Sequence, residues 1–590
     1  MSVLLQVHQI CKNYGSRIIL EDATTSFSRH QKIGMIGRNG AGKSTLCRII
    51  TGEEEMDSGR ITRNAELRLS YLEQHDSFKA DETVIEFLAR KSEKEEWQCG
   101  EVAGRFQLKG DLLYTKIGAL AGGYRTRVKL TAMLLNDPNF LLLDEPTNYL
   151  DLSTLVLLEN FLQDFKGGFL IVSHDREFLK RTCTSTLEVE NGHLSFYPGP
   201  VETYFGFKEE QLAQKLAYNK GVEAKKKQLQ DFVDRFKAKA STATRAKSKM
   251  KQIDKLQTIE IEHPMGSVNI RIPSVEKKGG VALFCDNLGI GYPGKEVAKG
   301  IQFDLDRGSH VAVLGDNGQG KTTFLRTIAA DLPVQSGAFR WGTALKVAYY
   351  AQHVFSTLRA EDEVYHHLSR MAAPGVIQQD ILDLAGSFLF KGNDVKKKVS
   401  VLSGGERARL CLAGLLLTKS QVLLLDEPTN HLDFETVEAL AGALKNFEGT
   451  IFFISHDRTF VNLIASHILE VKDGKILRYP GSYEDYVYHL EKRTAEELAA
   501  DGYGPREKKK KTGPGASKTD LQATRRKIQE TEKKIGELKQ EQEKLLEQFA
   551  ADPQNIRREH KNRQDELTEL LAEAEEEWLD LQEVLEEMED

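Results

Sequence analysis

Long hydrophobic runs and clustered cysteines are both missing from this chain of 590 residues. No stretch of 18 apolar residues occurs, which excludes a membrane-spanning helix. The six cysteines are scattered without a CxxC spacing, so we expect neither a disulfide framework nor a cysteine metal site. The first residues also lack a basic stretch followed by an apolar core. These absences predict a reduced, intracellular protein of the cytoplasm without a membrane association.

The length and composition predict several folded domains. A chain of this length corresponds to roughly three to four domains of about 150 residues, and 40% hydrophobic residues suffice to give each domain a core. The net charge of −7 is a sum over segments of opposite sign. Local charge is therefore more informative about partners than the total.

An internal repeat organises the chain. The segment GRNGAGKS at 37–44 recurs as GDNGQGKT at 315–322, and LLLDEPTN at 141–148 recurs unchanged at 423–430. Short apolar runs precede these motifs and alternate with helical stretches, as buried strands of an α/β sheet do. The sequence therefore predicts two copies of one α/β module.

The repeat and the segments outside it predict the domain limits. The two modules are joined and followed by charged, Lys- and Glu-rich stretches that have no counterpart in either module. The predicted domains are a first module at 1–204, an interdomain linker at 205–280, a second module at 281–498, a flexible basic linker at 499–518 and a C-terminal antiparallel coiled coil at 519–590.

Each Gly-rich loop is typical of a P-loop, in which backbone N–H groups and a helix N-terminus hold phosphates. A purely structural turn is the alternative, but two copies, each followed at a matching distance by a strand ending in Asp-Glu, argue against it. We expect Lys43 and Lys321 to reach the β and γ phosphates of ATP, and Ser44 and Thr322 to hold Mg²⁺. The other loop residues expected at ATP are Gly37, Arg38, Asn39, Gly40, Ala41, Gly42 and Thr45 in the first module, and Gly315, Asp316, Asn317, Gly318, Gln319, Gly320 and Thr323 in the second.

Acidic residues and a histidine follow each P-loop at corresponding positions. Asp144 and Asp426 are expected to support Mg²⁺, and the next residues, Glu145 and Glu427, to polarise the attacking water. A histidine also ends a later apolar strand of each module, where its repetition favours contact with the γ-phosphate over an ordinary strand-end role. These two histidines are His174 and His456.

The motifs LAGGY at 120–124 and LSGGE at 402–406 complete a resemblance to the ABC ATPase superfamily. The resemblance implies that Asp151 and Asp433 form the D-loops and that the signature motif of one module completes the ATP site of the other. It also implies stacking of an aromatic ring on adenine, although a tyrosine near a strand is often part of a core. The residues implied at ATP are Tyr14, Gln74, Ala121, Gly122, Gly123, Tyr292, Gln352, Ser403, Gly404, Gly405 and Glu406, with Gln74 and Gln352 also at Mg²⁺.

The fused modules and the linker between them resemble the ABC-F group of translation-associated ATPases over residues 1 to about 490. No added arm fits between Gln74 and the first signature, and a C-terminal coiled coil is expected, which resembles the Uup-like branch. The resemblance implies a monomer whose linker binds the ribosome, approaching rRNA, the peptidyl transferase centre and the P-site tRNA from the tRNA exit site. It also implies release on ATP hydrolysis.

The linker itself indicates a nucleic-acid contact. Residues 203–239 lack proline and predict a long helix, and 244–258 predict a second one after a turn of small residues. Between 235 and 255, eight basic residues stand against one acid, Asp254. Phosphate backbone is the expected ligand. The basic residues are Arg235, Lys237, Lys239, Arg245, Lys247, Lys249, Lys251 and Lys255.

Two other functions remain open at this point. A DNA-associated ABC ATPase acting on branched or repaired DNA is the main alternative, because charge alone does not distinguish DNA from RNA. An accessory ATPase for a separate membrane protein is a third possibility, which the basic linker disfavours.

The two ATP sites are predicted to differ. Ala121 stands where the signature serine would bond the γ-phosphate of the ATP on Lys321, and such a bond is worth about one to two decades in rate. We therefore expect Glu145→Gln, which leaves the Lys321 site, to hydrolyse ATP more slowly than Glu427→Gln, and Ala121→Ser to accelerate the Lys321 site. Steady-state ATPase rates test this; equal rates that do not respond to the serine contradict it.

Overall fold

The protein is described here from a computed structural model. The described residues are 3–72, 78–79, 81–120, 122–147, 150–236, 250, 270, 272–275, 279–351, 354–430 and 432–500. These residues belong to one compact unit, residues 1–504, and a second unit comprises residues 505–590. The predicted second linker helix, apart from Met250, the linker beyond Ala500 and the coiled coil lie outside the described residues.

The first module alternates strands and helices in chain order. Its elements are β1 (Val3–Tyr14), β2 (Arg17–Ser28), β3 (Lys32–Ile36), α1 (Lys43–Thr51), β4 (Ser58–Arg63), β5 (Leu69–Leu72), α2 (Val84–Ser92), α3 (Glu96–Gly104), α4 (Gly122–Leu135), β6 (Phe140–Asp144), α5 (Leu152–Asp164), β7 (Gly168–Val172), α6 (Arg176–Thr182), β8 (Ser185–Glu190), β9 (His193–Tyr197) and α7 (Val201–Phe236).

The second module repeats this order. Its elements are β10 (Val281–Tyr292), β11 (Lys295–Asp306), β12 (His310–Leu314), α8 (Lys321–Ile328), β13 (Ser336–Trp341), β14 (Val347–Tyr350), α9 (Val364–Met371), α10 (Gln378–Ser387), α11 (Gly404–Leu417), β15 (Val422–Asp426), α12 (Phe434–Lys445), β16 (Thr450–Ile454), α13 (Arg458–Ile464), β17 (His467–Lys472), β18 (Lys475–Tyr479) and α14 (Tyr483–Ala500).

A six-stranded sheet forms the centre of each module, in the order β5-β6-β7-β3-β8-β9 and β14-β15-β16-β12-β17-β18. All neighbours pair in parallel except the last strand, which is antiparallel. The strands β6, β7, β12, β15 and β16 are buried at every position. Helices cover one face of each sheet, and the P-loop helix together with the antiparallel strands β1 and β2, or β10 and β11, covers the other. The predicted α/β class with two repeated modules is confirmed.

The sheet order places the functional loops at one edge. β3 and β12 lie in the middle of their sheets, and the P-loop helices α1 and α8 follow them directly. The strands β6 and β15 end in the acidic pairs. In the sheet, β7 lies between β6 and β3, and β16 lies between β15 and β12. Because parallel strands end at the same edge, the P-loop, the acids and the histidine after β7 or β16 converge there.

Helix α7 is the first part of the predicted linker. It begins at Val201, two residues before the predicted start, and is described to Phe236. At 1.5 Å per residue, a helix of 36 residues is about 54 Å long. Among the described residues, no helix is both long and apolar enough to cross a membrane.

Stability should follow burial in the central sheets. Leu424 in β15 has no exposed surface, whereas Leu477 in β18 is 62% exposed. Leu424→Ala should lower the free energy of unfolding of the second module by about 2–5 kcal/mol because it leaves a cavity, and Leu477→Ala should lower it by less than about 1 kcal/mol. Urea unfolding followed by circular dichroism measures both; similar losses would contradict the core position of β15.

Candidate active site

The first P-loop connects β3 to α1 and folds around a lysine. Gly37 has φ 149° and a Cβ there would lie 2.5 Å from the Val189 carbonyl oxygen, so only glycine fits. The Lys43 ammonium is buried and donates hydrogen bonds to the carbonyl oxygens of Gly37, at 2.6 Å, and Arg38, at 3.1 Å. Burial lowers the pKa of Lys43, and the nearby Glu145 carboxyl opposes this shift.

The second P-loop has the same geometry. Gly315 has φ 140°, and a Cβ would lie 2.2 Å from the Val471 carbonyl oxygen. Lys321 Nζ donates to the carbonyl oxygens of Gly315, at 2.6 Å, and Asp316, at 3.1 Å, and lies 3.3 Å from Asn317 Oδ1. Each P-loop therefore holds a buried lysine ammonium at the position where a phosphate would bind.

A hydroxyl and a carboxylate meet beside each P-loop lysine. Thr322 Oγ1 donates to Asp426 Oδ1 at 3.3 Å. Burial raises the pKa of Asp426 to about 6, and the hydrogen bond from Thr322 opposes that rise. In the first module, burial likewise raises the pKa of Asp144, and a hydrogen bond from Ser44 opposes it.

The residue after each aspartate has left-handed backbone geometry. Glu145 has φ 49° and Glu427 φ 52°, and both side chains are largely buried, with 14% and 9% exposed. This backbone conformation is rare for residues other than glycine or asparagine, and it indicates that the surrounding structure imposes it. It turns the carboxyl group away from the strand direction toward the histidine of the same module.

A histidine contacts each of these glutamates. His174 Nε2 lies 3.3 Å from Glu145 Oε1, and His456 Nε2 lies 3.1 Å from Glu427 Oε1. Burial raises the pKa of both glutamates to about 8, and burial together with the P-loop lysine lowers the pKa of both histidines to about 3. The histidines are therefore neutral at neutral pH, and each neutral imidazole lies beside a carboxyl group of raised basicity, which also accepts a hydrogen bond from the backbone N–H of the same histidine.

The signature residues begin the helices α4 and α11. Ser403 caps α11: its Oγ accepts from the Glu406 N–H at 3.3 Å, and the Glu406 carboxylate accepts from the Ser403 N–H at 2.8 Å. The cap uses the Ser403 oxygen as an acceptor, so its hydroxyl hydrogen is not consumed by the cap. Gly404 and Gly405 form the first turn of α11, and Gly122 and Gly123 that of α4.

The first signature lies against the second P-loop. A Cβ on Gly123 would be 3.4 Å from Asn317 Nδ2 and 3.0 Å from Asp151 Oδ2. Asp151 caps α5 by accepting from the Thr154 N–H at 2.9 Å, and its other oxygen accepts from the Asn317 N–H at 3.0 Å. The second P-loop is thus bounded by the signature and the D-loop of the opposite module.

The first P-loop is also bridged to the opposite module, with different chemistry. The Arg38 guanidinium lies 2.6 Å from the Glu435 carboxylate on α12. At the equivalent place in the second site, Ser153 donates to the Asp316 carboxylate. In both sites, the P-loop therefore contacts the opposite module two residues after the D-loop aspartate of that module, Asp433 or Asp151.

Cavities lie beside both P-loops. One of about 660 Å³ is lined by the first P-loop, the 433–435 segment of the opposite module, and Lys208 and Leu212 of α7. One of about 10 Å³ is lined by the second P-loop, Ser153 of the opposite module, and Tyr486 and Leu490 of α14.

The tyrosines proposed for adenine are not core residues. Tyr14 is 46% exposed at the end of β1, and Tyr292 is 40% exposed at the end of β10. Tyr14 donates a hydrogen bond to Glu54. The alternative of a core role is therefore wrong for both, and stacking on adenine stays a prediction. Gln74, Ala121 and Gln352 lie outside the described residues.

Comparison with known proteins identifies the family to which this two-module fold belongs. A family profile described as ABC transporter matches residues 20–148 and 298–430, and a second profile of the same description matches 187–270. The putative ATP-binding protein YdiF of Bacillus subtilis is 35% identical over 569 residues, covering 88% of this chain and 87% of that protein. ABC transporter F family member 5 of Arabidopsis thaliana is 32% identical, covering 83% and 77%.

The chain belongs to the ABC-F family of ATPases. The resemblance drawn from the P-loops, the signatures and the linker is therefore confirmed, and the chain binds and hydrolyses ATP. A solved structure described as the complex of archaeal ribosomal stalk protein aP1 with archaeal ribosome recycling factor aABCE1 has the same fold, with a TM-score of 0.57 and 20% identity over 82% of this chain and 92% of that one. A structure described as RNase-L Inhibitor gives a TM-score of 0.56 at 21% identity, covering 84% and 93%.

Sequence reasoning missed a buried arginine behind the first signature of this ABC-F chain. Arg127 Nε donates to Thr154 Oγ1 at 2.8 Å, and its guanidinium lies 3.9 Å from Asp151 Oδ1. Although burial opposes it, Arg127 keeps the pKa of Asp151 below its usual range. The signal was available: Arg127 and Arg409 occupy the same register of the repeat, three residues after the signature.

The P-loop geometry predicts the effect of one methyl group. Gly315→Ala should abolish ATP binding at the Lys321 site, because its Cβ collides with the Val471 backbone and its φ of 140° is strained for alanine. Gly386→Ala in α10 is the matched control, since nothing lies within 4 Å of its added Cβ. Titration with a fluorescent ATP analogue should show one binding site lost in the first variant and none in the control; two intact sites in Gly315→Ala would contradict the geometry.

Proposed function

We propose that this ABC-F ATPase binds the ribosome when ATP closes its two modules, directs its linker toward the tRNA exit site and the peptidyl transferase centre to regulate or rescue translation, and leaves after hydrolysis. The working location would be the cytoplasm, and the working form a monomer whose two modules pair within one chain. The position of α7 beside the first P-loop is the observation that carries this proposal.

Each ATP site would combine groups from both modules. Lys43 and Lys321 would hold the β and γ phosphates from within their P-loops, and the signature turn of the opposite module would close over the γ-phosphate. Glu145 and Glu427, whose basicity burial raises, would accept a proton from the attacking water. His174 and His456 would orient that carboxyl group and contact the γ-phosphate.

The residues beside the lysines fit Mg²⁺. A hydroxyl and a carboxylate are hard oxygen ligands, and the 3.3 Å hydrogen bond between Thr322 and Asp426 shows that both groups face one point. Ser44 and Asp144 make the same contact in the first module. Mg²⁺ bound there would neutralise charge on the β and γ phosphates. Gln74 and Gln352 remain predicted ligands.

The linker helix is attached to the strand that supports the first P-loop. Lys208 of α7 binds Glu188 at 2.6 Å and Glu190 at 2.8 Å, and Tyr204 donates to Glu188 at 2.6 Å. Val189, between those two acids on β8, packs its carbonyl against Gly37 of the P-loop. A displacement of the P-loop module on ATP binding would therefore move α7, and a helix about 54 Å long would carry that motion to its far end.

The comparisons support a target on the translation machinery. The archaeal protein with the same two-module fold is described as a ribosome recycling factor, and another matching structure is described as a model of ribosome-bound archaeal Pelota and ABCE1, with a TM-score of 0.51 at 21% identity. The excess of basic residues between 235 and 255 supports a phosphate-backbone ligand such as rRNA or tRNA. These basic side chains lie outside the described residues.

The proposal predicts ATP-dependent comigration with ribosomes. The Glu145→Gln, Glu427→Gln double variant should bind ATP, close and stay closed because the step that consumes ATP is removed. In a sucrose gradient it should sediment with ribosomes in the presence of ATP and not without it.

The basic segment supplies the control. Replacing its eight basic residues with glutamine should abolish comigration, whereas replacing only its lysines with arginine should preserve it, because the charge is kept. Absence of comigration in the double variant, together with retained binding to branched DNA, would overturn the ribosomal target in favour of the DNA alternative.

A further inference from the structure

A group of charged side chains joins the two modules away from the P-loops. Arg458, the first residue of α13 in the second module, lies 3.2 Å from the Glu159 carboxylate on α5 of the first module. Arg181 on α6 lies 3.7 Å from the same carboxylate and 2.6 Å from Glu491 on α14. Each module therefore contributes one acid and one base, and two of the contacts cross the interface, Arg458 to Glu159 and Arg181 to Glu491. Arg458 also lies 4.0 Å from Glu491 within the second module.

The central pair of this group is buried. The side chains of Glu159 and Arg458 are 3% and 4% exposed, whereas Arg181 and Glu491 are each 34% exposed and form the rim. Burial raises the pKa of Glu159 to about 7, and Arg458 and Arg181 oppose that rise. Each member of a buried ion pair needs its partner, since removal of one leaves the other uncompensated.

The buried pair is connected to one ATP site through α13. Arg458 follows Asp457, which caps α13 by accepting from the Phe460 N–H at 2.8 Å. His456 precedes that cap and contacts Glu427 at 3.1 Å. A contact that fixes the first turn of α13 therefore also fixes the backbone that presents His456 to the second P-loop.

The other ATP site lacks this arrangement. In the register of the repeat, Arg176 corresponds to Arg458, but Ala441 occupies the position of Glu159. Arg176 pairs instead with Glu438 at the surface, where the two side chains are 29% and 43% exposed.

We propose that Glu159 is a positioning residue for the ATP site built on Lys321: from the opposite module it holds Arg458, and through α13 it sets the position of His456. The proposal rests on the catalytic roles proposed above for Glu427 and His456. It implies that closure of the Lys321 site depends on a buried ion pair between the modules, whereas the corresponding pair of the Lys43 site, Arg176 with Glu438, is partly exposed.

Site-isolating backgrounds test this in the full-length chain. In Glu145→Gln the Lys321 site keeps its glutamate, and in Glu427→Gln the Lys43 site does. Glu159→Ala should lower kcat by about tenfold or more in the Glu145→Gln background with little change in KM, and by a several-fold smaller factor in the Glu427→Gln background. Glu438→Ala, which removes the exposed counterpart, should change neither kcat by more than about twofold.

Further variants separate positioning from folding. Glu159→Gln keeps the side-chain volume and should retain only part of kcat, and Glu159→Asp, which keeps the charge, should recover more of it. Unchanged melting temperature and far-ultraviolet circular dichroism of these variants would show that the loss is not unfolding. An equal effect of Glu159→Ala in both backgrounds, or an effect on KM alone, would overturn the role of Glu159.

ATP release gives an independent measurement. In the Glu145→Gln, Glu427→Gln chain, Glu159→Ala should accelerate release of a fluorescent ATP analogue from one of the two sites by about tenfold; uniform or absent acceleration would contradict the proposal. ATPase activity that survives both glutamate substitutions would instead contradict the proposed function, so the two failures are distinguishable.

Discussion

The hydrogen bond from the Asn317 backbone to the Asp151 carboxylate ties a P-loop of one module to the D-loop of the other. Asp151 makes contacts in both modules, because one carboxylate oxygen caps α5 and the other accepts the Asn317 N–H across the interface. Burial alone would favour the neutral form of Asp151. The nearby Arg127 guanidinium lowers the pKa of Asp151 and so keeps its carboxylate charged. A phosphate-binding loop that depends on the neighbouring module in this way senses the relative position of both modules.

This shared construction connects the ATP site to the linker helix. The P-loop glycines are packed against strands β8 and β17, and β8 also carries the acids that hold α7. The lysine ammonium, the P-loop and the linker helix therefore form one chain of direct contacts, a few residues long. Transmission through such a chain requires only that a stiff helix be attached at one end, since a small rotation there becomes a large displacement far away.

The parts of the site that lie close together in sequence were predictable from it. P-loop, acidic pair and histidine each follow a short apolar strand, and the parallel sheet order brings the strand ends together, so the repeat alone located Lys43, Asp144, Glu145 and their counterparts. The contacts between modules were not predictable. Arg458 meets Glu159 and Arg38 meets Glu435 across separations of about three hundred residues or more, and no local pattern records such a pairing. The left-handed backbone of Glu145 and Glu427 was hidden for a similar reason, since the surrounding structure imposes it.

Two independent differences affect the same ATP site. The resemblance pairs the Lys321 site with a signature that has Ala121 in place of serine, so we expect this site to offer one hydrogen-bond donor fewer to the γ-phosphate. It is also the site beside which the protein supplies the buried Glu159–Arg458 pair. The Lys43 site has the reverse combination: the resemblance pairs it with Ser403, and its ion pair between the modules, Arg176 with Glu438, is partly exposed. A hydrogen bond to ATP and an ion pair between the modules act across the same interface, so we expect the buried pair to offset the missing serine at the Lys321 site.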